Sequence, residues 1–161
     1  MTLDDSRAAE PGHSDDARRR ARQLDETLPD IDWTVPPRGA VRGWVDAPSG
    51  RIATLSQGDP AAPLVLLVPG VTGSKEDFAL MLPLLADAGF RAVSYDMAGQ
   101  YESRDAGPEH LRPPRPNYDH DLFVGDLLFM LESAPGPAHV LGYSFAGTVA
   151  QIAGWLEAPN A

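Results

Sequence analysis

Cysteine is absent from the 161 residues, which excludes a disulfide framework, thiolate metal sites and a catalytic cysteine. Lysine is nearly absent: Lys75 is the single one among 13 basic residues. Positive charge is scarce overall. Thirteen Lys+Arg stand against 23 Asp+Glu, a net charge of −10, and that balance argues against a grip on nucleic-acid phosphates. No apolar run approaches the roughly 18 residues needed to span a bilayer. The first 32 residues also lack the about 7–15 consecutive apolar residues of a secretory signal, and no hydrophobic stretch follows Arg18, Arg19 and Arg20. The expectation is a cytoplasmic protein with neither a nucleic-acid nor a membrane partner. What the chain does possess is 43% hydrophobic residues, enough to bury the core of one domain.

Residues 1–38 carry nine acidic residues between Asp4 and Asp32 and six arginines between Arg7 and Arg38. So polar a segment cannot offset its own ordering entropy, and a disordered tail is expected. A short helix over Asp15–Leu28, capped by Ser14, is the one element it could hold, with Leu24 and Leu28 a turn apart. The folded domain is expected over residues 39–161.

Within that domain, Val41–Ala47 and Arg51–Gln57 have strand character and are joined by the turn sequence Pro48-Ser49-Gly50, which predicts a hairpin. Leu64–Val68 is an unbroken apolar run, the pattern of a strand covered on both faces. Phe78, Met81, Leu82 and Leu85 recur at helical spacing within Lys75–Ala88, with Ser74 as its cap, Gly89 as its end and Pro83 expected to bend it. Phe90–Tyr95 is a second buried strand. Asp96–Pro116 is a long loop, whose Arg112–Pro116 segment is taken as exposed surface rather than a polyproline ligand. Tyr118–Ser133 predicts a helix, His139–Tyr143 a third buried strand and Phe145–Leu156 a third helix. Strands alternating with helices imply a parallel sheet with crossover helices.

The chemistry concentrates at Gly142-Tyr143-Ser144-Phe145-Ala146-Gly147, between the last strand and the last helix. A serine in a sharp strand-to-helix turn, flanked by small residues, is lifted above the sheet as a nucleophile at a helix N-terminus. A dinucleotide-binding turn has similar spacing, but its middle glycine is replaced and the acidic residue about 20 positions later has no counterpart. Pro69-Gly70-Val71-Thr72-Gly73-Ser74 also follows a strand and precedes a helix, the place of a loop that donates N–H groups to an oxyanion. Its spacing is not that of a phosphate-binding P-loop.

Three segments together resemble the α/β-hydrolase family, over about Val41 to Leu156. Val68–Gly73 is similar to its oxyanion loop, with Pro69 in place of the usual histidine. Tyr95–Ser103 is similar to its Asp-x-x-Gly-x-Gly-x-Ser loop, with Gln100 and Tyr101 in place of the usual His-Gly. Gly142–Gly147 is similar to its nucleophile elbow. The resemblance implies an α/β fold: a partial α/β-hydrolase with an antiparallel N-terminal hairpin, three parallel strands and crossover helices, lacking the family's C-terminal strands. It also implies a serine hydrolase that transfers an acyl group from an ester, amide or thioester to water. Ser144 would be the nucleophile, the N–H groups of Val71 and Phe145 the oxyanion donors, a small carbonyl compound the substrate, and no cofactor or metal would be needed. Serine at the elbow argues against the family's epoxide hydrolases and dehalogenases, which match aspartate there.

The family's acid and histidine follow the elbow in sequence. Here only Glu157 follows, and no histidine. His139 lies five residues before Ser144 on one strand, roughly 16 Å away at about 3.3 Å per residue. His13, His110 and His120 are expected at the surface, and Asp96 is expected to organise its own loop. The chain is therefore expected to be the front half of a longer hydrolase, inactive alone. Its last strand would present an apolar edge to water, a route to self-association. The alternative is a non-catalytic binding module or pseudo-enzyme that uses that edge.

Overall fold

The computed structural model describes residues 11–27 and 30–157. The chain divides into two compact units, Met1–Asp32 and Trp33–Ala161. In the first, helix α1 runs over Pro11–Asp25. It starts earlier than the Asp15–Leu28 expectation, so Ser14 lies inside the helix and cannot cap it, while Leu28 lies outside the described residues. Pro11 has no N–H to lose at a first helical position. Solvent-exposed pairs Asp15–Arg18 at 4.0 Å and Asp16–Arg19 at 3.5 Å add little stability.

In the second unit the hairpin forms as expected. Strands β1 (Val41–Ala47) and β2 (Gly50–Gln57) pair antiparallel, with Ala47 opposite Gly50. Strands β3 (Leu64–Val68), β4 (Arg91–Tyr95) and β5 (His139–Gly142) follow, and the sheet order is β1-β2-β4-β3-β5. β2 meets β4 antiparallel, whereas β3 is parallel to both β4 and β5. The helices are α2 (Met81–Asp87), α3 (His120–Glu132) and α4 (Phe145–Glu157).

The run Leu64–Val68 is apolar throughout because it feeds two cores. Leu64, Leu66 and Val68 join the core with Leu122, Leu127, Val149 and Ala153 of α3 and α4. Val65 and Leu67 join a second core with Phe78 and with Leu82 of α2. Helices thus cover both faces of the sheet, and alternation along one strand decides which residue meets which layer.

Three expectations change. The helix expected over Lys75–Ala88 is two pieces, a 3₁₀ turn at Lys75–Phe78 and then α2. Ser74 precedes the first piece but makes no capping side-chain hydrogen bond. The interruption falls at Ala79-Leu80, which puts Pro83 in the first turn of α2, where its missing N–H has no acceptor to lose. Gly89, at φ 86°, ends that helix, and the N–H of Phe90 closes the turn on the Leu85 carbonyl at 3.0 Å. Second, α3 is capped by Asp119, whose carboxylate accepts from the Leu122 N–H at 3.0 Å, a cap that the apolar pattern alone did not mark. Third, β5 is not buried. His139 and Leu141 are exposed and Val140 and Gly142 half-buried, because β5 pairs only with β3 among the described strands.

Candidate active site

β5 ends at Gly142 and α4 begins at Phe145, so the turn between them is Tyr143-Ser144 alone. Ser144 sits at φ 57°, in the left-handed region that non-glycine residues avoid at a cost of about 1–2 kcal/mol. Its side chain is exposed. Backbone bonds close the turn, from Ala146 N–H to the Tyr143 carbonyl at 3.1 Å and from Gly147 N–H to the Ser144 carbonyl at 3.0 Å. A Cβ at position 142 would collide with the Ala146 carbonyl, so only glycine lets strand and helix approach so closely. Ala146 is 0% exposed within the core. The small residues flanking the serine are therefore demanded by packing. Phe145, as first residue of α4, has an N–H that precedes the helix's own hydrogen-bond ladder, at the positive end of the helix dipole.

The loop after β3 lies directly against this turn. A Cβ on Gly70 would stand 3.0 Å from the Tyr143 ring and 3.3 Å from Ser144 Cβ, so Val71 follows the point of contact immediately. Gly73 N–H closes the loop on the Gly70 carbonyl at 2.9 Å. Val71 and Phe145, the two expected oxyanion donors, line one cleft of about 400 Å³, shared with Ala98, Gln100, Tyr118 and Phe123. The Tyr143 hydroxyl donates to Asp77 Oδ2 at 2.5 Å and its ring meets Phe78 edge-on, centroids 6.0 Å apart. That hydrogen bond, with burial second, raises the Tyr143 pKa above the usual phenol value.

The third loop of the site, residues 96–103 after β4, is organised by a buried ion cluster. Asp96 is 0% exposed, and its carboxylate accepts from the Lys75 N–H at 2.8 Å, Lys75 Nζ at 2.9 Å and the Glu102 N–H at 3.2 Å. Lys75 is 2% exposed and also contacts Glu76 at 3.1 Å and Glu102. Arg42 of β1 reaches Glu102 at 3.1 Å and Glu76 at 3.6 Å. Burial pulls the Lys75 pKa down, but the Glu102, Asp96 and Glu76 carboxylates outweigh it and hold it above the usual 10.5. The same lysine holds Glu102 below the usual carboxylate value. The Lys75 carbonyl accepts from Ser94 Oγ at 2.8 Å. Sequence reasoning missed this lysine. Its signal was available: a single lysine in a chain that otherwise uses arginine.

The histidines are dispersed. The His139 ring meets Phe90 edge-on at 5.7 Å, and His110 Nε2 contacts the Asp105 carbonyl at 3.0 Å. His120 is exposed but tilts onto the Phe145 ring, centroids 5.0 Å apart, nearer the elbow than expected. None of these three makes a hydrogen bond to Ser144 among the described residues, and the side chain of His13 lies outside that set.

A strand-borne turn with a left-handed serine, an apposed glycine loop and a sheet covered on both faces define an α/β hydrolase. The model of the alpha/beta hydrolase family matches residues 65–159, more than half of the chain, and the chain belongs to that family. "Probable oxidoreductase EphD" of Mycobacterium tuberculosis is 36% identical over 104 residues, covering 63% of this chain and 16% of the relative. The chain thus spans about a sixth of the length of the curated relatives it matches. Among solved structures, an epoxide hydrolase from an endophytic Streptomyces is 29% identical with a TM-score of 0.59, covering 74% of this chain and 34% of that one. The thioesterase domain from the curacin biosynthetic pathway, 18% identical with a TM-score of 0.61 over 73% and 40%, shows the same fold. Among the described residues no helix is long and apolar enough to cross a membrane.

Proposed function

We propose that this chain carries the nucleophile half of a serine hydrolase acting on an ester, amide or thioester. Ser144 Oγ forms a bond to the carbonyl carbon and gives its proton to a base. The carbonyl oxygen, now an oxyanion, is received by the N–H groups of Val71 and Phe145. Collapse of the adduct breaks the bond to the leaving group, which takes the proton, and water releases the acyl group by the same route. Among the described residues no histidine hydrogen-bonds to Ser144, so the 161 residues by themselves are expected to turn over slowly or not at all. One observation carries the reading: an exposed serine at φ 57° between β5 and α4, against Gly70.

The epoxide hydrolase similarity supports the fold and a hydrolytic family, while serine at position 144 favours attack on a carbonyl. A second reading, a non-catalytic binding module, is favoured by β5, whose exposed Leu141 is paired on one side only among the described strands. A fluorophosphonate probe separates the two. Ser144 Oγ would bond to phosphorus with loss of fluoride. Modification mapped to Ser144, faster than at surface serines such as Ser133, accelerated by added imidazole and lost in Ser144→Ala, is the expected result. A folded chain whose Ser144 reacts no faster than Ser133 would overturn the enzyme reading.

A further inference from the structure

The two positions at which the third loop departs from its family pattern, Gln100 and Tyr101, both reach across to the oxyanion loop. Gln100 Nε2 donates to the Val71 carbonyl at 2.5 Å, and the Tyr101 hydroxyl donates to the Thr72 carbonyl at 3.0 Å. We propose that this pair is a brace: consecutive side chains clasp consecutive carbonyls and hold the loop that presents the Val71 N–H.

Several observations support a role beyond filling space. Tyr101 sits at φ 41°, a backbone region from which an aromatic residue is nearly excluded and where glycine would be free of penalty. The residue is 58% exposed, so core packing does not demand an aromatic side chain. The hydroxyl contact is what the tyrosine supplies. Gln100 Oε1 is buried without a partner among the described residues, and turning the amide over would set that oxygen against the Val71 carbonyl, so the donor orientation is enforced. The brace is anchored at its base. Gln100 N–H donates to the Met97 carbonyl at 3.0 Å, Ser103 N–H to the Gln100 carbonyl at 2.7 Å, and Glu102 N–H to Asp96 Oδ2 at 3.2 Å. Asp96 also receives the Lys75 N–H at 2.8 Å, so the oxyanion loop is tied to the third loop at both ends. With the Val71 and Thr72 carbonyls clasped at one end and the Lys75 N–H held at the other, the loop that carries the Val71 N–H has little freedom to shift.

The brace is a contact between loops and stands on the geometry. Its consequence for chemistry rests on the reading of Ser144 and Val71 given above. Gln100 and Tyr101 are positioning residues, since they act on the site through the backbone of Val71 and Thr72.

The test uses the full chain with Gln100→Ala, Tyr101→Phe and Tyr101→Gly, read by hydrogen exchange at the Gly73 amide and by the fluorophosphonate rate at Ser144. Losing one net hydrogen bond should speed Gly73 exchange about fivefold while the β3 amides stay unchanged, and should slow labelling in the same variants. Tyr101→Gly, freed of the positive-φ penalty, should melt above Tyr101→Phe yet exchange and label as Tyr101→Phe does. A merely structural residue would move stability and labelling together. Unchanged Gly73 exchange in Gln100→Ala and Tyr101→Phe overturns the brace. Faster exchange with undiminished labelling overturns its positioning role. Should the wild-type chain not label at all, the Ser144 reading fails, and the exchange result alone upholds or overturns the brace.

Discussion

Lys75→Met removes the one cation buried beside Asp96 among the described residues while nearly preserving volume, so the loss is electrostatic rather than a cavity. The side chains of Lys75 and Asp96 are 2% and 0% exposed. Deleting one member of such a buried pair costs about 3–5 kcal/mol, because the other charge is left uncompensated. Asp96 retains two backbone donors, the N–H groups of Lys75 at 2.8 Å and Glu102 at 3.2 Å, which places the loss near the lower end, about 3 kcal/mol. For a chain of this size that is a fall in Tm of about 6–12 °C. Thermal and urea melts followed by circular dichroism give the number. Its pH dependence has two signs. Glu102 titrates below the usual 4.5 in the folded chain, so its contribution is present above that value and lost as pH falls through the folded pKa. Lys75 titrates above 10.5, so its contribution is present below 10.5 and lost as pH rises through the folded pKa. The gap between wild type and Lys75→Met should therefore be widest between those limits and narrow outside them. Salt should change it little, because the pair is desolvated. Adding Asp96→Asn to Lys75→Met should cost less than the sum of the single changes. A Lys75→Met protein melting within about 1 °C of wild type, when breaking a buried pair should cost several times that, would refute the assignment.

Strain at the elbow gives another test. Ser144→Gly removes the left-handed penalty but adds unfolded-state entropy, for a net gain of about 0.5–1 kcal/mol over Ser144→Ala. Urea melts of the two variants compare them, and a Ser144→Gly protein less stable than Ser144→Ala would show that position 144 carries no backbone strain. Asp126 of α3 is buried and accepts from Ser49 N–H at 3.1 Å and Ser49 Oγ at 2.5 Å in the hairpin turn. Burial raises its pKa above the usual carboxylate value, against the Ser49 bonds. Its contribution is thus present at low pH and lost as pH rises through the folded pKa. Asp126→Asn, which can keep both Ser49 contacts, should be at least as stable as wild type at pH 7 and should lack that pH limb. Melts at pH 4 and 7 decide it, and a larger deficit at pH 7 than at pH 4 would count against this account.

Much of the architecture was legible along the chain. The two-sided apolar run Leu64–Val68, the turn at Pro48-Ser49 and the glycine at 89 each express a local requirement that one strand or one turn imposes by itself. The candidate nucleophile was legible for the same reason, since small residues around Ser144 are what a strand meeting a helix at that angle needs. Less legible was anything that depends on two distant segments meeting. The break at Ala79-Leu80 could not be anticipated from periodicity, because Phe78 and Leu82 enter the same core from two short helical pieces.

Local periodicity and steric need determined that this chain forms an α/β sheet with an antiparallel hairpin and three parallel strands, and exposes a serine after strand β5. Tertiary structure alone decided that Lys75 is buried among carboxylates from two loops, that Gln100 and Tyr101 clasp the carbonyls of Val71 and Thr72, and that Val71 and Phe145 share a cleft. The reason is physical. A helix or strand is specified by neighbours within a few residues, whereas a hydrogen bond or ion pair between loops about 20–30 positions apart exists only after the sheet has brought both loops to the same rim.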